Sequence, residues 1–129
     1  MPTTDEMKAT VEAYTAAHSA GDVDGIAALF APDAVVADPV DKPPFEGRDA
    51  VRKFFAGTHQ MADSLELEVT GPIRAVDRFA AAPLRAITTV GESRFAVDII
   101  DVFTFGDDGR ITDMRAYWTA SDIRPLDPA

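Results

Sequence analysis

Cysteine is absent from the chain, so disulfides, thiolate nucleophiles and sulfur-based zinc sites are excluded. Histidine is nearly absent, with only His18 and His59, too far apart in sequence for a local metal-binding motif; each falls near the end of a helical stretch, where a capping or surface role is expected. Positive charge is scarce as well. Twelve Lys and Arg stand against 22 Asp and Glu, a formal charge of −10, which repels phosphate backbones and anionic headgroups and leaves no nucleic-acid or membrane partner. No apolar run reaches the about 20 residues of a spanning helix. The opening MPTTDEMKAT lacks the basic segment and apolar stretch of a secretion signal, so a cytoplasmic protein is expected. No Gly-x-Ser-x-Gly elbow, repeat or low-complexity segment is present. What remains is a chain of 129 residues, 47% hydrophobic and 26% charged, the size and composition of one domain spanning 1–129.

The order of elements is informative. Thr4, Asp5 and Glu6 open a helix whose stripe is Met7, Val11, Tyr14 and His18 and which Gly21 ends. Asp22 caps a short second helix carrying Val23, Ile26, Leu29 and Phe30, broken by Pro32 and Asp33. Ala34 to Asp38 (AVVAD) reads as a strand, and Asp49 to His59 as a third helix with Val51, Phe54 and Phe55 on one side. From Ser64 the pattern changes to strands: Ser64 to Thr70, Ile73 to Asp77, Phe79 to Val90, Ser93 to Phe105 and Arg110 to Trp118, separated by glycine turns. Helices followed by hairpin-linked strands indicate an α+β domain with the helices on one face of the sheet. The stretch Ser121 to Ala129 is expected to be a surface tail.

Sorting Ser93 to Phe105 by parity isolates a misfit. Phe95, Val97, Ile99, Asp101, Phe103 and Phe105 share one face, so Asp101 sits alone among apolar side chains, where ionisation costs desolvation energy. Two readings follow: a protonated hydrogen-bond donor, or a buried Asp satisfied by a backbone amide or a cation from another strand. Tyr14 shares its stripe with core residues and brings a phenol into the same interior. Asp38 ends the AVVAD strand in phase with Ala34 and Val36; taken singly it also reads as a turn residue. Small residues such as Ala82 and Ala116 alternate with large apolar ones on the neighbouring strands, which leaves room for a concave apolar pocket.

The segments GDVDGIAALFAPDAVVADPV, PPFEGRDAVRKFF, TGPIRA, FAVDIIDVFTF and GRITDMRAYW, in this order from about Met7 to Trp118, resemble the bacterial steroid delta-isomerases (ketosteroid isomerases) of the nuclear transport factor two-like superfamily. The resemblance implies a cone-shaped α+β fold: a strongly curved, antiparallel or mixed sheet with three N-terminal helices on one side around an apolar pocket. It implies a homodimer acting on a small apolar ketone, a 3-oxosteroid, with no metal and no organic cofactor. The mechanism is that of the family, taken over by resemblance, with a carboxylate base and a neutral carboxylic acid held apart by their surroundings. The family base matches Asp38, its oxyanion-hole tyrosine Tyr14 and its protonated aspartic acid Asp101. The resemblance thus selects the first reading of Asp101. Residues expected to line the pocket, by parity and by the resemblance, are Phe30, Phe55, Leu84, Val97, Ile99, Phe103, Met114, Ala116 and Trp118. Phe55 and Phe30 stand where some relatives carry tyrosine, so Tyr14 is expected to lack a supporting hydroxyl.

Other enzymes of the same fold, an epoxide hydrolase or a polyketide cyclase, are the nearest alternatives, and a non-catalytic module binding an apolar ligand is a third. A hydrolase of this fold would set an Arg between two pocket carboxylates, but Arg85 and Arg115 fall on the outward phases of their strands. A binding module has no use for unpaired carboxyls inside an apolar pocket. Ile100 and Val102, apolar on the outward phase, are the candidate dimer surface.

Overall fold

The computed structural model describes residues 1–126. Helix α1 (Thr4–Ser19) begins on a capping box in which the Thr3 hydroxyl accepts from the Glu6 amide and the Glu6 carboxylate accepts from the Thr3 amide. It ends where Gly21 turns to φ +67°, a conformation cheap only for glycine. Its buried stripe is Met7, Val11, Tyr14 and His18, the four residues that the spacing places together. Helix α2 (Val23–Ala28) is capped by Asp22, whose carboxylate accepts from the Gly25 amide. Helix α3 (Arg48–Gln60) turns Val51 and Phe55 inward.

Phe30 is not helical. Strand β1 (Phe30–Ala37) starts there, and Pro32 and Asp33 lie within it at a register shift of its parallel pairing with β7, the bulge that a proline needs inside a strand. Arg48, at the start of α3, donates two hydrogen bonds to the Phe30 carbonyl (2.9 and 2.7 Å), so this bulge is also where α3 is anchored.

The remaining strands are β2 (Phe45–Glu46), β3 (Ser64–Val69), β4 (Arg74–Val76), β5 (Phe79–Val90), β6 (Ser93–Phe105) and β7 (Ile111–Tyr117), followed by a short 3-10 turn and β8 (Ile123–Leu126). They form one open, mixed sheet in the order β2-β1-β7-β6-β5-β3, with β4 on β5 and β8 on β6. The two long strands change partners midway. β5 pairs with β4 through Phe79–Ala81 and with β3 from Leu84 on, while β6 pairs with β8 through Arg94–Val97 and with β7 from Ile100 on. Pro83 falls at this change on β5. Its carbonyl accepts from the Thr70 amide, so its missing N–H faces the gap between β3 and β4 and leaves the β5–β6 ladder intact.

Helix α1 lies across β3, β4 and β5, α3 lies across β1 and β2, and α2 bridges the two helices. The core between helices and sheet contains Met7, Ile26, Phe30, Val36, Val51, Phe103, Phe105, Ile111 and Met114, all fully buried. Each such side chain contributes about 1.5 to 3 kcal/mol of transfer free energy. The expected tail is different in part. Thr119 and Asp122 cap the 3-10 turn, and Ile123–Leu126 is an exposed strand on the edge of β6; Asp127, Pro128 and Ala129 lie outside the described residues. No helix among the described residues is long and apolar enough to cross a membrane.

Candidate active site

The pocket is a half-open cavity of about 280 Å³, lined mainly by apolar side chains and close to the smallest ligand pockets, which begin near 300 Å³. Three of its polar groups are Tyr14, Asp38 and Asp101, the three side chains singled out in the sequence.

Asp101 comes from the middle of β6, opposite Ala82 on β5 and Ala116 on β7. Both alanines are fully buried, so the carboxyl has methyl groups on either side and open cavity in front. The residue is 3% exposed, and its Oδ1 has no hydrogen-bond partner among the described residues. Burial pushes its pKa well above the ordinary carboxylate value, and the nearby Asp38 pushes it further. Burial thus favours the neutral form of Asp101.

Asp38 follows β1 directly and keeps the inward phase of Ala34 and Val36. It is only partly buried. Trp118, one residue past β7, donates from Nε1 to Asp38 Oδ1 at 2.7 Å. Burial raises the Asp38 pKa and this bond lowers it, a net rise smaller in kind than that of Asp101. The parallel pairing of β1 and β7 brings the two residues together, since Ala37 is level with Arg115 and both strands end at the same rim.

Tyr14 points its ring from α1 into the same interior and is 2% exposed. Four rings meet it: His18, Phe30, Phe55 and Phe103, with centroids 4.6, 6.2, 6.0 and 5.4 Å away, each edge to face. Burial raises the phenol pKa well above its ordinary value, and the neighbouring carboxyls of Asp101 and Asp38 push it the same way to a smaller extent. No side chain among the described residues bonds the phenol, so Phe55 and Phe30 do leave it without hydroxyl support.

Of the expected lining residues, Phe55, Val97, Ile99 and Trp118 face the cavity. Phe30, Leu84, Phe103, Met114 and Ala116 do not: they share the inward phase but are fully buried one layer below, where they support the wall. The sequence reading missed Phe54 and Thr58, one turn apart on α3, and Leu65 and Leu67 on β3, whose alternation in SLELEV was the available signal. Ala86 and Thr88 on β5 complete the list of missed wall residues, apart from His18. That histidine is a correction. His18 is not a surface cap; it is 4% exposed, lines the cavity and bonds His59.

Arg85 and Arg115 lie outside the cavity, as their phase requires. Arg85 pairs with Asp98 and Glu68, and Arg115 with Asp113, all on the solvent side. Among the described residues no cluster of three or more His, Asp or Glu is placed to hold a metal ion.

Comparison with known proteins adds the family. A model described as a SnoaL-like domain matches residues 11–114. The steroid Delta-isomerase of Nocardioides simplex is 41% identical over 118 residues, 92% of this chain and 94% of that protein. The epoxide hydrolase LasB of Streptomyces lasalocidi is 30% identical over 128 residues, 95% of this chain but only 44% of the longer relative. A solved structure of the epoxide hydrolase/cyclase-like enzyme SalBIII, described for its role in pyran ring formation in the polyether salinomycin, matches with a TM-score of 0.87 at 30% identity, covering 95% of this chain and 97% of the other. The chain therefore belongs to the SnoaL-like family of enzymes, has the nuclear transport factor two-like fold, and counts a steroid Delta-isomerase among its relatives.

Proposed function

We propose that this chain isomerises a 5-ene-3-oxosteroid to the conjugated 4-ene-3-oxosteroid. The observation that carries this reading is the unequal treatment of two carboxyls in one apolar pocket: Asp38 is partly solvated and accepts a hydrogen bond from Trp118, whereas Asp101 is buried with its Oδ1 unpartnered among the described residues and is pushed more strongly toward its neutral form. Asp38 takes a proton from C4, which leaves a dienolate with its negative charge on the C3 oxygen. Tyr14 and Asp101 donate to that oxygen. Asp38 then returns the proton to C6, the double bond has moved, and the enzyme is unchanged. A positioned base contributes about 100- to 10,000-fold. Each donor aimed at a developing oxyanion in a dry site contributes about 3 to 4 kcal/mol. The residues supply both functions themselves, and no step needs a metal or organic cofactor. A homodimer through the outer sheet face, where Ile100 is half exposed, and a cytoplasmic location belong to the same proposal.

The relatives with epoxide chemistry support a second reading, since an acid and a base facing each other could also open an epoxide. Against hydrolysis stands the lining: no Arg or Lys among the described residues reaches the cavity to hold a water between the carboxyls. The experiment follows the absorbance of the conjugated enone after mixing the protein with a 5-ene-3-oxosteroid, and in parallel the consumption of an apolar epoxide. Enone formation without epoxide opening is expected; the reverse result replaces the first reading with the second.

A further inference from the structure

Two histidines that are distant in sequence meet at the C-terminal ends of α1 and α3. His18 Nδ1 and His59 Nε2 are 3.0 Å apart, and the rings stack with centroids 5.2 Å apart at 20°. One ring must donate to the other. Burial, with a smaller effect of His59, pushes the His18 pKa down to about 3, so the pair is neutral under working conditions. The other His18 nitrogen, Nε2, is buried without a partner among the described residues. An imidazole in this place costs more desolvation than a leucine of similar bulk, so filling the core does not explain it.

What His18 touches supplies an explanation. Its ring stands edge to face against Tyr14 (76°) and against Phe55 (82°). The Tyr14 phenol has no hydroxyl neighbour, so the direction in which it donates is set by the rings around it. Three of those rings are hydrocarbon and are held by non-directional packing. His18 alone is fixed by a directional bond, and that bond comes from a different helix. His59 is only partly buried and lies outside the cavity lining, so it reaches the phenol only through His18.

We propose that His59 is a positioning residue: by bonding His18 it fixes the imidazole against the Tyr14 ring and so aims the Tyr14 phenol at the oxygen it stabilises. This rests on the isomerase reading for its effect on turnover, but not for its effect on the phenol.

The test compares wild type with His59→Leu, which keeps bulk without the bond, and His59→Gln, which can restore a bond to His18 Nδ1. Turnover of a 5-ene-3-oxosteroid and affinity for a planar phenolate, whose anionic oxygen mimics the dienolate, are measured alongside thermal unfolding. His59→Leu is expected to lower kcat about 3- to 10-fold with KM within twofold of wild type, to weaken phenolate binding by a similar factor, and to unfold within a few degrees of wild type; these factors match one hydrogen bond of about 0.5 to 1.5 kcal/mol. His59→Gln should recover most of both losses. Unchanged kcat and unchanged phenolate affinity in His59→Leu overturn the proposal. So does a loss that follows unfolding temperature and is not recovered by His59→Gln. If wild type turns over no steroid while phenolate affinity still depends on residue 59, the isomerase reading fails and the positioning role stands.

Discussion

Asp38 and Asp101 face one cavity, yet their surroundings separate them. Asp38 sits at a strand end near the rim, with solvent on one side and the Trp118 N–H on its carboxylate. Asp101 sits in mid-strand between two alanines, with nothing to stabilise a charge. The backbone position does the sorting. A strand end admits water and a side-chain donor, whereas the middle of a central strand admits neither, so the same side chain is pushed toward the neutral form far more strongly in one place than in the other, the difference on which the proposed roles of base and acid rest.

The largest disturbance of this pair is removal of the proposed base. Asp38→Asn is expected to lower kcat for the steroid by about 100- to 10,000-fold while the chain stays folded, measured by enone absorbance and circular dichroism. Loss below tenfold would mean that Asp38 is not the base. Next come the donors. Tyr14→Phe and Asp101→Leu should each cost about 100- to 1,000-fold in kcat, and Asp101→Asn, which keeps an N–H donor, distinctly less. Equal losses for the Leu and Asn variants would remove the hydrogen-bonding role assigned to Asp101.

Stability against pH sharpens the comparison without substrate. The folded-state pKa of Asp101 is raised above its ordinary value, so its contribution to stability is fully present below the ordinary value and is lost as pH rises toward the folded value. His18 behaves oppositely: its folded pKa is depressed to about 3, and stability is lost as pH falls from 6.5 toward that value. As pH rises above the ordinary carboxylate value, wild type should therefore lose stability that Asp101→Asn keeps, so the variant's profile should be flatter on that side, as read from denaturant melts. A wild-type profile as flat as that of the variant would show Asp101 to be ionised. The smallest effect concerns Trp118. Trp118→Phe removes a bond that lowers the Asp38 pKa, so the acid limb of the kcat/KM profile should move to higher pH, with a loss of about 3- to 10-fold at pH values below the limb. An unmoved limb would mean that the bond does not act on the base.

Much of this site was legible because β6 is long and holds one phase from Val97 to Phe105, which leaves Asp101 no ambiguous face; nearer its start the phase is lost, and Phe95, expected on the inner face, is exposed while Ala96 is buried. The stripe of α1 located Tyr14 for the same reason. Depth was not legible. Phase says that Met114 and Ala116 point inward, but whether an inward residue reaches the cavity or lies under its wall depends on how helices and sheet close over it. Phe30 was assigned to a helix because its spacing from Ile26 is helical, and the bulge that carries Pro32 in β1 became visible only with its partner strand. The His18–His59 pair was invisible for a related reason: each lies near the end of its own helix, and only the packing of α1 and α3 makes them neighbours.

Ile123–Leu126 covers the flank of β6 from Arg94 to Val97, beside Val97 of the cavity wall. Shortening the chain before Ile123 would strip that flank and present a row of unsatisfied amides and carbonyls next to the exposed ring of Phe95, an adhesive edge of the sort that recruits strands from other molecules. Four residues that looked dispensable therefore act as a guard against aggregation, and expression trials of shortened versions should show it first as lost solubility.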